Sequence, residues 1–130
     1  MQRLPLTGGV VARHIALEDE WLLNGVVGDG LVSPPDQSDA CGIMAPSDAA
    51  PAYREAMATA LAKVRKMSGE QLAQPISFFG MMLPAVNVLS IALKHSVHHR
   101  GQLSAYLRAM GGRIPEIYGP SADTQHEISA

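Results

Sequence analysis

Apolar positions recur at three- and four-residue steps in three stretches of the chain, the spacing of one face of an α-helix. In the first stretch Val10, Val11, His14, Leu17, Glu18, Trp21 and Leu22 share a broad face. This predicts a helix from about Thr7 to Val27, weakened at its start by Gly8 and Gly9 and ended by Gly25 and Gly28. In the second, Tyr53, Met57, Ala60, Leu61, Val64 and Met67 form a stripe, and Arg54, Glu55, Lys63, Arg65 and Lys66 fall mostly on the polar side. The predicted helix runs from about Asp48 to Met67, with Ser47 as N-cap and Pro51 in the first turn. The third stretch is the longest. It starts near Met82 with Pro84 in its first turn, continues through Leu103, Tyr106, Leu107 and Met110, and stops at Gly111-Gly112. At roughly 28 residues it would be about 42 Å long.

Between these stretches the pattern breaks. From Gly28 to Pro51 the chain is rich in Gly, Pro, Ser and Asp, and residues 29–52 form a connection longer than most loops in compact domains, which implies a functional cover or a loosely ordered segment. Asp36, Asp39 and Cys41 lie in it at spacings that match no metal or catalytic site, so they read as loop residues. Ser68 to Gly80 is a second connection, where Phe78 and Phe79 are placed to plug one end of the core. The tail, 113–130, reads as extended and loop-like, with His126 solvated near its end.

Length and composition narrow the class. At 130 residues the chain is read as one domain, 1–130, with a single core. Hydrophobic content of 47% against 17% charged residues reads as globular rather than disordered. The net charge of −2, without a dense basic patch, argues against nucleic-acid binding. The lone Cys41 cannot form an internal disulfide and reads as a loop thiol. No leader-like start and no apolar run of about 18 residues is visible, so a soluble, cytoplasmic protein off the membrane is expected.

The chemistry concentrates in His95-Ser96-Val97-His98-His99-Arg100-Gly101-Gln102, which carries three of the five histidines. His95 and His99 are one helical turn apart, roughly 5–6 Å between Cβ atoms, whereas His98 points elsewhere. The bland reading is one buried, hydrogen-bonded histidine and one surface histidine. The sharper one is a shared metal ion. The pair lies on the stripe Val88, Ile91, Ala92, His95, His99, Gln102, Tyr106, and burying two imidazoles is costly unless they have partners. His14 also faces the predicted core, where a single histidine is more often a satisfied core residue than a ligand. Glu18, one turn on, either reaches the same site or pairs at the stripe's edge with an arginine such as Arg100.

Several segments together resemble the DinB-like (DNA-damage-inducible) superfamily of helical-bundle metalloenzymes. They are Arg13-His14-Ile15-Ala16 with Trp21 beyond it, Phe78-Phe79-Gly80, His95-x-x-x-His99-Arg100-Gly101-Gln102-Leu103, and Gly112-Arg-Ile-Pro-Glu-Ile-Tyr-Gly-Pro-Ser-Ala-Asp. The resemblance covers essentially the whole chain. It implies an all-α four-helix bundle and a divalent metal, zinc or nickel, held by His14, His95 and His99. Relatives include transferases that use low-molecular-weight thiols and a maleylpyruvate isomerase. The resemblance also implies a further helix ahead of the segment with the first histidine. Only a few residues precede it here, so a truncated chain or a helix supplied by a partner is expected. Three helices with broad apolar faces are expected to self-associate, as a homodimer.

Three neutral imidazoles leave one open position on a tetrahedral ion, the arrangement of catalytic sites. Glu18 is the candidate proton shuttle or outer partner of an imidazole N–H, and Gln102, one turn below His99, is the other candidate partner. Arg100 is read as pairing with a carboxylate rather than with substrate. Two functions follow: a metal-dependent thiol transferase or hydrolase on a small molecule, or a metal-binding or sensing bundle (or family fragment) without turnover. A di-iron bundle is disfavoured because no Glu-x-x-His pair is present. The first needs an exchangeable position with a cleft above it, the second a fourth protein ligand or a sealed site.

Overall fold

In a computed structural model, residues 8–28 and 30–124 are described, and they form three long helices and a small sheet. Helix α1 spans Gly8–Val27, α2 Pro46–Val64, the short α3 Gly69–Ala73 and α4 Ala85–Ala109. Strands β1 (Gly30–Leu31), β2 (Pro75–Phe78) and β3 (Met81–Pro84) lie in the order β1-β2-β3, parallel then antiparallel. The architecture is predominantly α-helical, as the three apolar stripes require. No described helix is long and apolar enough to cross a membrane.

The helix ends show local chemistry. At the end of α4, Gly111 takes a left-handed conformation (φ 77°) and donates to the Arg108 carbonyl, while Gly112 donates to that of Leu107. This 5→2 and 6→1 pair satisfies carbonyls the helix leaves free. At the start of α2 the Asp48 carboxylate accepts the Ala45 and Met44 N–H groups. Pro46 therefore occupies the first helical position, and α2 begins two residues before the expected Asp48, with Ala45 rather than Ser47 as N-cap. Pro51 consequently lies in the second turn, not the first, and the helix ends at Val64 rather than Met67. Gly25 is inside α1 rather than at its end: it is buried, and Leu31 packs onto its bare Cα.

The clearest departure from the pattern is a hairpin where a connection and the first turn of a helix are expected. Ile76 and Phe78 pair with Leu83 and Met81 across the two-residue turn Phe79-Gly80, and α4 starts only at Ala85. Both turn residues have positive φ, 50° and 83°, as the right-handed twist of a two-residue hairpin favours. Phe79 adopts it without being glycine; its ring packs against Trp21 and Phe78, centroids 5.8 and 5.1 Å away, yet it stays half-exposed and does not plug the core. Gly30 (φ 110°) lets β1 approach β2, since a Cβ there would run into the Ser77 backbone.

The main core joins Leu22, Leu23 and Val26 of α1 to Ala60 of α2, Leu31 and Ile76 of the sheet, and Ala85, Val88 and Ala92 of α4. A smaller cluster joins Ala16 to Ile43 and Ala49. These pairings make α4 antiparallel to α1 and α2 parallel to it. The chain leaving α1 must therefore travel back beside the helix, about 30 Å, before α2 can start. That is why the connection between α1 and α2 is long, although it ends at Ala45 rather than at residue 52 as expected, and why part of it, at Gln37, overlies α1. The tail is not extended: Asp123 accepts from Arg108 and from the Ile114 N–H, folding 114–124 back on itself. His126 and Thr7 lie outside the described residues.

Candidate metal centre

The site begins one turn beyond the main core. On α4, His95 follows Ala92 by three residues and His99 follows by one more turn. On α1, Glu18 and Asp19 precede Leu22, and His14 lies a turn before Glu18. Antiparallel packing brings His14 against both α4 histidines. Its Nε2 is 3.2 Å from His95 Nε2 and 3.0 Å from His99 Nε2. One nitrogen of each residue fits within 4.8 Å of the other two. Tetrahedral zinc with imidazole ligands would hold its nitrogens about 3.3 Å apart, from Zn–N bonds of about 2.05 Å.

The outer nitrogens of His95 and His99 fix the protonation of those two rings. His95 Nδ1 lies 3.3 Å from Asp19 Oδ1, and His99 Nδ1 lies 2.6 Å from Gln102 Oε1. Both partners accept, so both Nδ1 atoms carry the proton. The Gln37 amide flanks His14 Nδ1 with both its atoms, the nitrogen at 3.0 Å and the oxygen at 3.2 Å, and the same nitrogen donates to Glu18 at 2.8 Å, so His14 Nδ1 has a partner in either tautomer. His95 and His99 thus turn bare Nε2 lone pairs toward the point that His14 Nε2 also faces, with no proton of their own to share. A cation at that point converts the repulsion into ligation, and imidazole sets of this kind suit zinc and nickel. The charges agree as well: two carboxylates, Glu18 and Asp19, balance a divalent ion.

The carboxylates differ in place. Asp19 is 3% exposed, holds His95 with one oxygen and accepts from the Tyr53 hydroxyl at 3.3 Å with the other. Burial, and after it the Asp19 charge, push the Tyr53 phenol above its ordinary value. Glu18 borders the centre itself, 3.4 Å from His95 Nε2 and 3.5 Å from His14 Nδ1.

The five residues singled out in the sequence, His14, Glu18, His95, His99 and Gln102, thus come together. His98 is exposed and only touches the His99 ring edge-on, centroids 4.9 Å apart. Among the described residues Arg100 does not pair with Glu18 or another carboxylate; Gln37 donates to Glu18, and Arg100 donates to the Tyr118 hydroxyl at 2.9 Å. Asp36 binds Ser38 in its own turn, whose N–H and hydroxyl hold the carboxylate below its usual range. Asp39 pairs with Arg13, and Cys41 packs in the smaller cluster. Two contributors escaped the sequence reading. Asp19 carries a signal: with Ala12, Ile15, Leu22 and Val26 it forms a stripe at helical spacing. Gln37 carries none.

A family model described as the DinB family matches residues 11–128. The chain belongs to the DinB family. Its fold is similar to the crystal structure of a DinB-like protein from Bacillus cereus ATCC 10987, with a TM-score of 0.71 and 26% identity over 86% of this chain and 73% of that one. A segment of 52 residues is 36% identical to the uncharacterized protein YrdA of Bacillus subtilis strain 168. That match covers 40% of this chain and 31% of the relative, so it spans under a third of that protein.

Proposed function

We propose that this DinB protein holds one zinc or nickel ion on His14, His95 and His99, and acts as a metal-dependent enzyme on a small molecule by thiol transfer or hydrolysis. The observation that carries the reading is the convergence of three Nε2 atoms, each on a ring whose Nδ1 already has a hydrogen-bond partner. A bound divalent ion would supply Lewis-acid activation of an oxygen or sulfur nucleophile. Asp19, Gln102 and Gln37 orient the rings. Glu18, beside the centre and steadied by Gln37, takes and returns the proton of an incoming nucleophile. The His14 and His95 side chains are 25% and 21% exposed, so a small molecule reaches the site. A low-molecular-weight thiol is the first candidate co-substrate.

A second reading, a metal-binding bundle without turnover, draws support from the same Glu18, whose carboxylate stands close enough to serve as a fourth ligand after a small movement. Metal content by elemental analysis tests the shared part: about one ion per chain, lost in His14→Ala, His95→Ala and His99→Ala but kept in His98→Ala. Equal loss in all four variants, or none in any, refutes the three-histidine site. Glu18→Gln separates the readings. Unchanged metal affinity with lost thiol-transfer or hydrolytic turnover supports the enzyme; a large fall in affinity supports the sealed site.

A further inference from the structure

The connection between α1 and α2 is fastened to the bundle at two buried residues. Leu31, 1% exposed, sits in the main core, and Ile43, 6% exposed, sits in the smaller cluster. Between these anchors most of the described residues are exposed, whereas Gln37 is partly covered. Its amide nitrogen lies 3.0 Å from His14 Nδ1 and donates to Glu18 at 2.8 Å. The segment 36–39 therefore crosses α1 as a strap on the His14–Glu18 side of the histidine cluster.

Within the strap, Asp36 accepts from the Ser38 N–H and hydroxyl, which gives the turn its shape. Arg13, a residue the metal reading leaves unused, attaches it to α1. Neighbours on a helix point about 100° apart, so while His14 faces the cluster, Arg13 faces the strap beside it. Its Nη1 donates to the Gln37 carbonyl at 2.9 Å, and its Nη2 donates to the Asp39 carboxylate at 3.2 Å. One planar guanidinium thus spans the strap at two points, which the single ammonium of a lysine matches poorly. The two contacts differ in weight. The Asp39 side chain is 74% exposed, and an ion pair in water adds little. The Arg13 side chain is 21% exposed and its bond to the Gln37 carbonyl is partly buried, where a charged donor holds an oxygen more firmly.

We propose that Arg13 is a positioning residue: by gripping the strap it holds the Gln37 amide over His14 and Glu18, and so sets how readily reagents and ions reach the cluster from that side. The strap itself needs no metal; its effect on metal exchange rests on the three-histidine reading. The first test uses metal-free protein and diethylpyrocarbonate, with peptide mass spectrometry reading each histidine and the exposed His98 as internal reference. Arg13→Gln should raise the rate at His14, relative to His98, about tenfold, the size of losing a charge-assisted hydrogen bond that keeps a local segment closed. Gln37→Ala should raise it as much, and the double variant no further, because Arg13 acts through Gln37. Arg13→Lys should recover part of the protection. Asp39→Asn should change the rate less than twofold, since its pair with Arg13 lies in water. The second test is release of bound zinc to excess chelator, which should speed up in the same order. An unchanged His14 rate in Arg13→Gln overturns the proposal. So do effects of Arg13→Gln and Gln37→Ala that multiply, or a rise of equal size at all four described histidines, which would mean general loosening. Wild-type protein that takes up no zinc, while His14 responds as expected, would refute the metal reading and support the strap.

Discussion

At the sheet end of the bundle Val26, Leu31, Ala85 and Val88 are at most 1% exposed, and three helices and the sheet all contribute to the same core. At the opposite end the same three long helices stand around an open groove, and Met110 on α4 is 76% exposed. The histidines lie between. One end of the molecule thus supplies rigidity, and the site is built where that rigid packing gives way to accessible surface. This is the arrangement a binding centre needs, because ligands must be held in fixed geometry and still be reached.

Substitutions can sharpen this contrast. Leu22→Ala removes a side chain that is 3% exposed in the main core and should lower stability by about 2–5 kcal/mol in chemical denaturation. Leu103→Ala, on the groove wall, should cost about 1 kcal/mol or less, because the site is already partly open. Equal losses would mean that the groove is closed in solution. Asp19→Asn acts between the two ends: it keeps the shape but removes the charge holding His95. Metal affinity, measured by competition with a chelator, should fall about 10–100-fold, the usual cost of losing such an outer partner. An unchanged affinity would show that Asp19 serves packing alone.

The smallest effect is at high pH. The Tyr53 phenol is raised, so the folded state keeps its proton where the unfolded chain loses it. The corresponding stability is fully present below the unfolded value, about 10, and is lost as pH rises through the folded value. Tyr53→Phe should remove this alkaline component of the denaturation profile. An identical profile in the variant would separate Tyr53 from the pH dependence.

Most of the helical architecture was legible in the sequence because its three stripes are long and their period is 3.6. The hairpin was not. Ile76-Ser77-Phe78-Phe79 is too short for its period to separate strand from loop, and Pro84 suits a helix's first turn as well as the N-cap position it holds. At the site, a one-turn spacing pointed to His95 and His99, and family resemblance added His14. Asp19 was overlooked beside Glu18, although adjacent residues on a helix face different neighbours and both can matter. Gln37 could not be found because its role depends on how a long connection is routed. That route is set by the parallel placement of α1 and α2, a long-range property that no local pattern encodes.

The meeting of His14 with His99 has a further consequence for folding. These residues are 85 positions apart in the chain, so an ion gripped by both would act as a reversible cross-link closing the larger part of the described polypeptide into a loop. Treated as a cross-link, a closure of that length removes about 4–5 kcal/mol of conformational freedom from the unfolded ensemble. Loading with metal would then restrain the unfolded chain as well as the native one whenever both histidines stay bound, and chelation would act on the protein as reduction acts on a long-range disulfide.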